Sequence, residues 1–208
     1  MKFANTFLIL AAFGLAFIGC SNSRQHKDPS WTAKPANMQV VFTAPAPIVL
    51  DFATESGKLA EWFSSNIDNT LKFNSNVPYK VSKISKDLLS YSEKDADGEK
   101  VRVPVLKTMS DSVDIYMVLD SIQLTSDIGV RAGAGTTMMS TVGPMIKNNC
   151  AHVSASYAFY EVKTGKPLDY GYLDESQCSD QKVIEHDWQN VLRKLILHII
   201  NKTPIAQF

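Results

Sequence analysis

Histidines, cysteines and aspartates are the residues of this 208-residue chain whose types allow chemistry. His26 stands in a polar N-terminal stretch. His186 and His198 are twelve positions apart on one predicted helix, about 18 Å along its axis and too far to share a metal ion. His152 lies beside Cys150 on a predicted strand, and a Cys/His pair can serve redox chemistry or bind a metal. No second pair with ligand spacing accompanies it, so no metal and no cofactor are expected. Gly-x-Ser-x-Gly, Ser-x-x-Lys and His-Glu-x-x-His are all missing. Asp111, Asp114 and Asp120 could pair as acid and base. On one extended strand, however, Asp114 and Asp120 would stand about 20 Å apart, and these residues read as solvated strand ends. The expectation is a protein that is not an enzyme.

A second feature is the uncharged segment 132–146, bracketed by Arg131 and Lys147. It holds Gly133, Gly135 and Gly143 with Met138, Met139 and Met145, and lacks the Lys-Ser/Thr of a phosphate loop. Its plainest reading is a loop lying on a sheet edge. It could also be a partner-binding surface through Arg131, Met138, Met139 and Met145, because flexible Met-rich surfaces repack against varied partners. Insertion into a membrane is a third reading. Against it stand Pro144 and the missing apolar/polar alternation of a pore strand.

The first residues point to an address. Lys2 precedes an apolar run at 7–18, too short for a comfortable span of roughly 20 residues and laid out like a secretory signal. The run ends Phe17-Ile18-Gly19-Cys20, which resembles the lipobox of bacterial lipoproteins, where a small residue precedes a cysteine. Gly19 and Cys20 fit; Phe17 and Ile18 stand where the family has Leu and then Ala or Ser. The resemblance implies cleavage before Cys20 and its acylation, and so a lipid anchor. Ser21 in place of Asp implies the outer membrane, with the domain facing the periplasm. Residues 1–19 would then be the signal peptide, 20–37 a flexible tether, and 38–208 a single periplasmic domain.

Removing the first 19 residues leaves 189, enough for one ordinary domain. The remaining 20 basic residues balance 21 acidic ones, which argues against nucleic acid as a partner. With Cys20 acylated, Cys150 and Cys178 remain, in an oxidising compartment that favours a disulfide. Their midpoint is residue 164, inside the turn signal 163–167. Residues equidistant from the turn of an antiparallel hairpin face each other, so the two sulfurs are expected together at the hairpin's open end.

The elements around these residues read as strand, helix, strand, short helix, strand, hairpin and helix. Leu59, Phe63, Ile67 and Leu71 make a helical stripe over 55–71, and Ile184, Trp188, Val191, Leu195 and Ile199 another over 181–200. Strands are expected at 48–50, 77–84, 101–106, 115–119, 151–162 and 168–173. Residues 85–90 read as a short helix and Asp97-Gly98 as a turn. The resulting class is α+β: a single mixed sheet of about five strands, two main helices packed on it, and one disulfide-stapled hairpin.

Three stretches also resemble the fold group of the curli secretion channel, the penicillin-binding-protein activators and the N-terminal domain of the Tol translocation protein. They are 48–51 with the helix after it, Asp114 with its apolar strand, and Glu161-Val162-Lys163-Thr164-Gly165. Taken together, these features imply a lipid-anchored, non-catalytic binding or assembly factor for another envelope protein. A subunit of an oligomeric secretion or export assembly is the alternative, and an envelope enzyme a third.

Overall fold

The computed structural model describes residues 23–46, 56–132 and 145–207. Its elements in order are β1 (Arg24–Lys27), β2 (Met38–Thr43), α1 (Ser56–Asn74), β3 (Tyr79–Ile84), β4 (Leu89–Ala96), β5 (Glu99–Leu106), β6 (Ile115–Ala132), β7 (Met145–Glu161), β8 (Pro167–Ser179) and α2 (Glu185–Ile200). A six-stranded sheet has the order β1-β8-β7-β6-β2-β3, and β4 pairs with β5 separately. β2 is parallel to both neighbours, and the other pairings are antiparallel.

The helical stripes become the contact faces. Leu59, Phe63, Ile67 and Leu71 of α1 are buried with Val191, Leu192, Leu195 and Ile199 of α2. They pack on Val40, Phe42, Met117, Leu119, Val153 and Phe159, which lie on one side of the sheet. Each such side chain stabilises the fold by about 1.5–3 kcal/mol through removal from water. Trp62 Nε1 donates to Glu185 Oε1 across the two helices at 2.9 Å. On the other side of the sheet, Val41, Val118, Ala158, Tyr160 and Tyr170 meet Leu89, Val101 and Val103 of the β4–β5 ribbon. The ribbon turns on Asp97 (φ 52°) and Gly98 (φ 80°), the two positive φ values of a tight hairpin turn. The fold therefore has three layers: helices, main sheet and ribbon.

The α+β class, the two helices and the stapled hairpin agree with the sequence, but the strand number does not. The main sheet has six strands and a two-stranded ribbon is added. One extra strand, β1, falls within the expected tether 20–37, so the ordered domain begins well before residue 38. Another, β4, spans the charged stretch read as a short helix and turn; only Lys86–Leu88 are helical, as a single 3-10 turn. The expected strand at 48–50 lies outside the described residues, and β2 is a further strand, set between β6 and β3. α2 starts at Glu185, and its first turn is closed by Asp187, whose Oδ2 accepts from the Ile184 N–H at 3.0 Å.

Asp120 is a further correction: it is fully buried, not solvated. It sits where the β6–β7 register shifts, beside Ser121 at φ 52°. Its Oδ1 accepts from Thr43 Oγ1 at 2.6 Å and its Oδ2 from Ser121 Oγ at 2.8 Å. Burial works to raise its pKa, but the donors from Thr43 and Ser121 outweigh it and hold the carboxyl below the usual range.

Candidate functional site

Two structures leave the main sheet at the same end. The first is the β6–β7 hairpin. Its ladder runs on through Asp127↔Cys150 and Gly129↔Asn148 to Ala132↔Met145. β2 stops pairing with β6 at Leu119, and β8 stops pairing with β7 at Asn149. From Gln123 onward, no described residue pairs with the outer edge of β6. Arg131 pairs with Ile146 and Met145 with Ala132. Ala132, Met145 and Ile146, the ends of the segment 132–146, therefore belong to paired strands, and residues 133–144 lie outside the described residues. Met138 and Met139 lie outside the described residues, as does Cys20.

The second is β1. Arg24 pairs with Tyr172 and Lys27 with Asp169, antiparallel to β8. The N-terminal end of β1, at Arg24, is therefore its end nearer the C-terminal end of β8, which is the hairpin end. A dense set of contacts holds β1. Gln25 N–H donates to Asp97 Oδ2 at 3.0 Å and Gln25 Nε2 to the Tyr157 hydroxyl at 3.0 Å. Arg24 pairs with Glu99 at 2.6 Å. His26 stacks on Tyr170, with ring centroids 4.8 Å apart. Lys166 pairs with Asp28, and Trp31 rests on Phe159 at 5.1 Å.

Beneath β1 lies Asp169, fully buried. Its Oδ1 accepts from Tyr157 at 2.8 Å, and its Oδ2 faces Lys27 Nζ at 3.5 Å. Lys27 Nζ also donates to the Asn201 carbonyl at 2.5 Å, at the C-terminal end of α2, where a cation is favoured by the helix dipole. Burial pushes the Asp169 pKa up to about 6, against the opposing effects of Tyr157 and Lys27. Burial beside Asp169 likewise raises the Tyr157 hydroxyl.

An acid with a raised folded-state pKa stabilises the fold fully below its unfolded value and loses that contribution as pH rises through the folded one. For Asp169 the window runs from 3.8 to about 6, and the loss is about 3 kcal/mol at roughly 1.4 kcal/mol per pKa unit. Asn at 169 can still accept from Tyr157 and carries no charge. In urea melts between pH 4 and 7.5, Asp169→Asn is expected to gain about 2–3 kcal/mol on the wild type over this window. Parallel curves would show that Asp169 does not titrate there.

The disulfide joins Cys150 to Cys178, with Cα atoms 4.0 Å apart, directly opposite each other in the register as the midpoint of the turn predicts. On the same face, His152 Nε2 lies 3.1 Å from Asp127 Oδ1, flanked in register by Thr125 and Ser176. An imidazole and a carboxylate do meet here, but on an open sheet surface: the Asp127 side chain is 65% exposed. His198 is engaged elsewhere, pairing with Glu175 at 2.6 Å on the helix side. A cleft of about 630 Å³ beside Thr43, Lys83, Lys86 and Ser121 is lined by no histidine and no carboxylate.

The β1 contacts were missed from the sequence. One signal was available: Gly171 stands inside the apolar run of β8, and a strand glycine marks a close backbone approach. A Cβ there would lie 2.1 Å from the Arg24 carbonyl oxygen.

No protein-family model and no curated protein matches the chain. Among solved structures it is similar to a PelC dodecamer from Paraburkholderia phytofirmans, with 13% identity, a TM-score of 0.44, and coverage of 86% of this chain and 94% of that one. A variant PelC dodecamer from the same organism gives 10% identity and a TM-score of 0.41, covering 90% and 99%. A neuraminyllactose-binding hemagglutinin homologue from Helicobacter pylori gives 9% identity and a TM-score of 0.32, covering 84% and 82%. Likeness at this level carries nothing about what this chain binds or assembles with.

Proposed function

We propose that the chain is an extracytoplasmic, lipid-anchored subunit of an envelope assembly, acting by binding and not by catalysis, with the hairpin end of its sheet turned towards the membrane. The observation that carries this reading is the shared exit of β1 and the β6–β7 hairpin. Cys20 is four positions before Arg24, at most about 13 Å of extended chain. Arg24 is level with Tyr172, which pairs with Ser156. From Ser156 to Met145, β7 runs a further eleven residues, about 36 Å. An acyl chain on Cys20 therefore brings the bilayer alongside the hairpin. The uncharged 132–146 segment suits that position. The Cys150–Cys178 bridge suits an oxidising compartment. The His152–Asp127 pair is open to solvent, as suits a binding surface better than an enclosed catalytic site.

The open β6 edge favours, as a second reading, a subunit of an oligomeric secretion or export assembly. An unpaired strand edge is a template for another strand.

The test combines palmitate labelling in cells with photocrosslinking from position 123, on the open edge. The expected result is labelling lost in Cys20→Ala, together with one dominant crosslinked envelope protein or a ladder of self-adducts that also depends on Cys20. Unlabelled protein, or crosslinks unchanged in Cys20→Ala, would contradict the reading.

A further inference from the structure

We propose that reduction of the Cys150–Cys178 disulfide opens a four-donor site for a thiophilic divalent cation of the Zn²⁺ type, formed by Asp127, Cys150, His152 and Cys178. The donors come from three adjacent strands. Asp127 of β6, Cys150 of β7 and Cys178 of β8 stand in one cross-strand row. His152 lies two residues along β7 on the same side. Oxygen, nitrogen and sulfur donor atoms of Asp127, His152 and Cys150 all lie within 4.8 Å of one another, and the disulfide brings the Cys178 sulfur to the same place.

Two thiolates, an imidazole and a carboxylate are a donor set that Zn²⁺ accepts in tetrahedral geometry, with metal–sulfur bonds near 2.3 Å and sulfurs therefore about 3.8 Å apart. Loss of the covalent bond need not scatter the donors. The β7–β8 ladder continues from Asn149↔Ser179 to Tyr160↔Pro167, so backbone pairing keeps the two sulfurs facing. Access is also provided: the His152 side chain is 28% exposed, and this part of the face lies beyond the buried contact with the β4–β5 ribbon.

The chemistry is balanced by a dithiol reductant. Its two thiols pass two electrons and two protons to the disulfide and close into a disulfide of their own, leaving Cys150 and Cys178 as thiols. The cation then displaces both thiol protons, and the two thiolates neutralise its charge. With the disulfide closed, neither sulfur is a thiolate, so the site is gated by redox state.

The experiment uses the full purified chain, oxidised and phosphine-reduced, titrated with Zn²⁺ in competition with a chromophoric chelator and with Co²⁺ as a spectroscopic probe. The expected result is one equivalent of Zn²⁺ bound by the reduced form, at least about 100-fold tighter than by the oxidised form, with the visible and thiolate charge-transfer bands of tetrahedral Co²⁺. His152→Ala and Asp127→Asn, which keep the disulfide and fold oxidised, should each weaken binding after reduction by about tenfold or more, the loss typical of disturbing a metal site's ligands. Equal affinity of the two redox forms would overturn the proposal. So would reduced His152→Ala and Asp127→Asn binding as tightly as the wild type, which would leave only a dithiol chelating the metal. Circular dichroism of the reduced chain accompanies each titration, and loss of the fold on reduction would also overturn it.

Discussion

Replacing Gly171 by alanine is expected to release β1 from the sheet. The added Cβ would stand 2.1 Å from the Arg24 carbonyl oxygen, 3.0 Å from Gln25 Cα and 3.1 Å from the Arg24 carbonyl carbon. All three atoms are backbone, so no side chain can turn aside to make room. β8 is fixed by its long ladder with β7, whereas β1 pairs with it over only four residues, Arg24–Lys27. It is therefore β1 that gives way. Its departure removes Lys27 from the buried Asp169 and Gln25 from Tyr157. Leaving a buried acid without its cation costs about 3 kcal/mol, and protonation of Asp169 would recover part of this as pH falls. The freed segment exposes Arg24 and Lys27 to trypsin. Limited digestion should cut the variant after these residues while the wild type stays protected, and urea melts should show the loss of stability. Equal protection would mean that β1 is not closely docked over Gly171. In an acylated protein the same change would extend the chain between Cys20 and Met38 to as much as about 60 Å.

Removing the disulfide should cost about as much. In the Cys150→Ser/Cys178→Ser double variant the unfolded chain regains the freedom of a loop spanning a sequence separation of 28, worth about 3–4 kcal/mol in the chain-entropy account. The loss should be local as well as global. The bridge sits next to Asn149↔Ser179, the last rung that pairs β7 with β8, so these rungs should open more often while remaining paired on average. Hydrogen exchange should quicken most in the β7 and β8 rungs nearest the bridge and least at Tyr157 and Phe159, which are buried under the helices. A loss below about 1 kcal/mol in urea melts, or uniform exchange along the hairpin, would show that the bridge adds little to the stability of this end.

Much of this fold was legible because it obeys local rules. The two helices follow from stripes of Leu, Ile and Phe at helical spacing, and the facing cysteines follow from counting outward from a Thr-Gly turn. What stayed hidden depends on partners distant in sequence. β1 is Arg-Gln-His-Lys, with no apolar residue to betray it; it is a strand because the β8 edge at Gly171 accepts its backbone. β4 carries charges between its core contacts, and only Leu89 and Ala96 are buried. Asp120 looked like a strand end because neither the register shift in β6 nor the hydroxyl of Thr43 can be read from the residues beside it. Of the proposed contact residues, Arg131 and Met145 prove to be on adjacent strands of that hairpin.

The central claim is that the anchor and the hairpin face the same way. It is tested most directly by fluorescence quenching in vesicles containing spin-labelled lipid. The acylated protein would carry a fluorophore at Ser126, on the exposed outer part of β6, or at Thr164, in the turn at the opposite end of β7. The two positions are separated along the strands by more than about 30 Å. Strong quenching at Ser126 with none at Thr164 is the predicted result. Quenching at Thr164, or equal quenching at both, would place the membrane elsewhere and contradict the account.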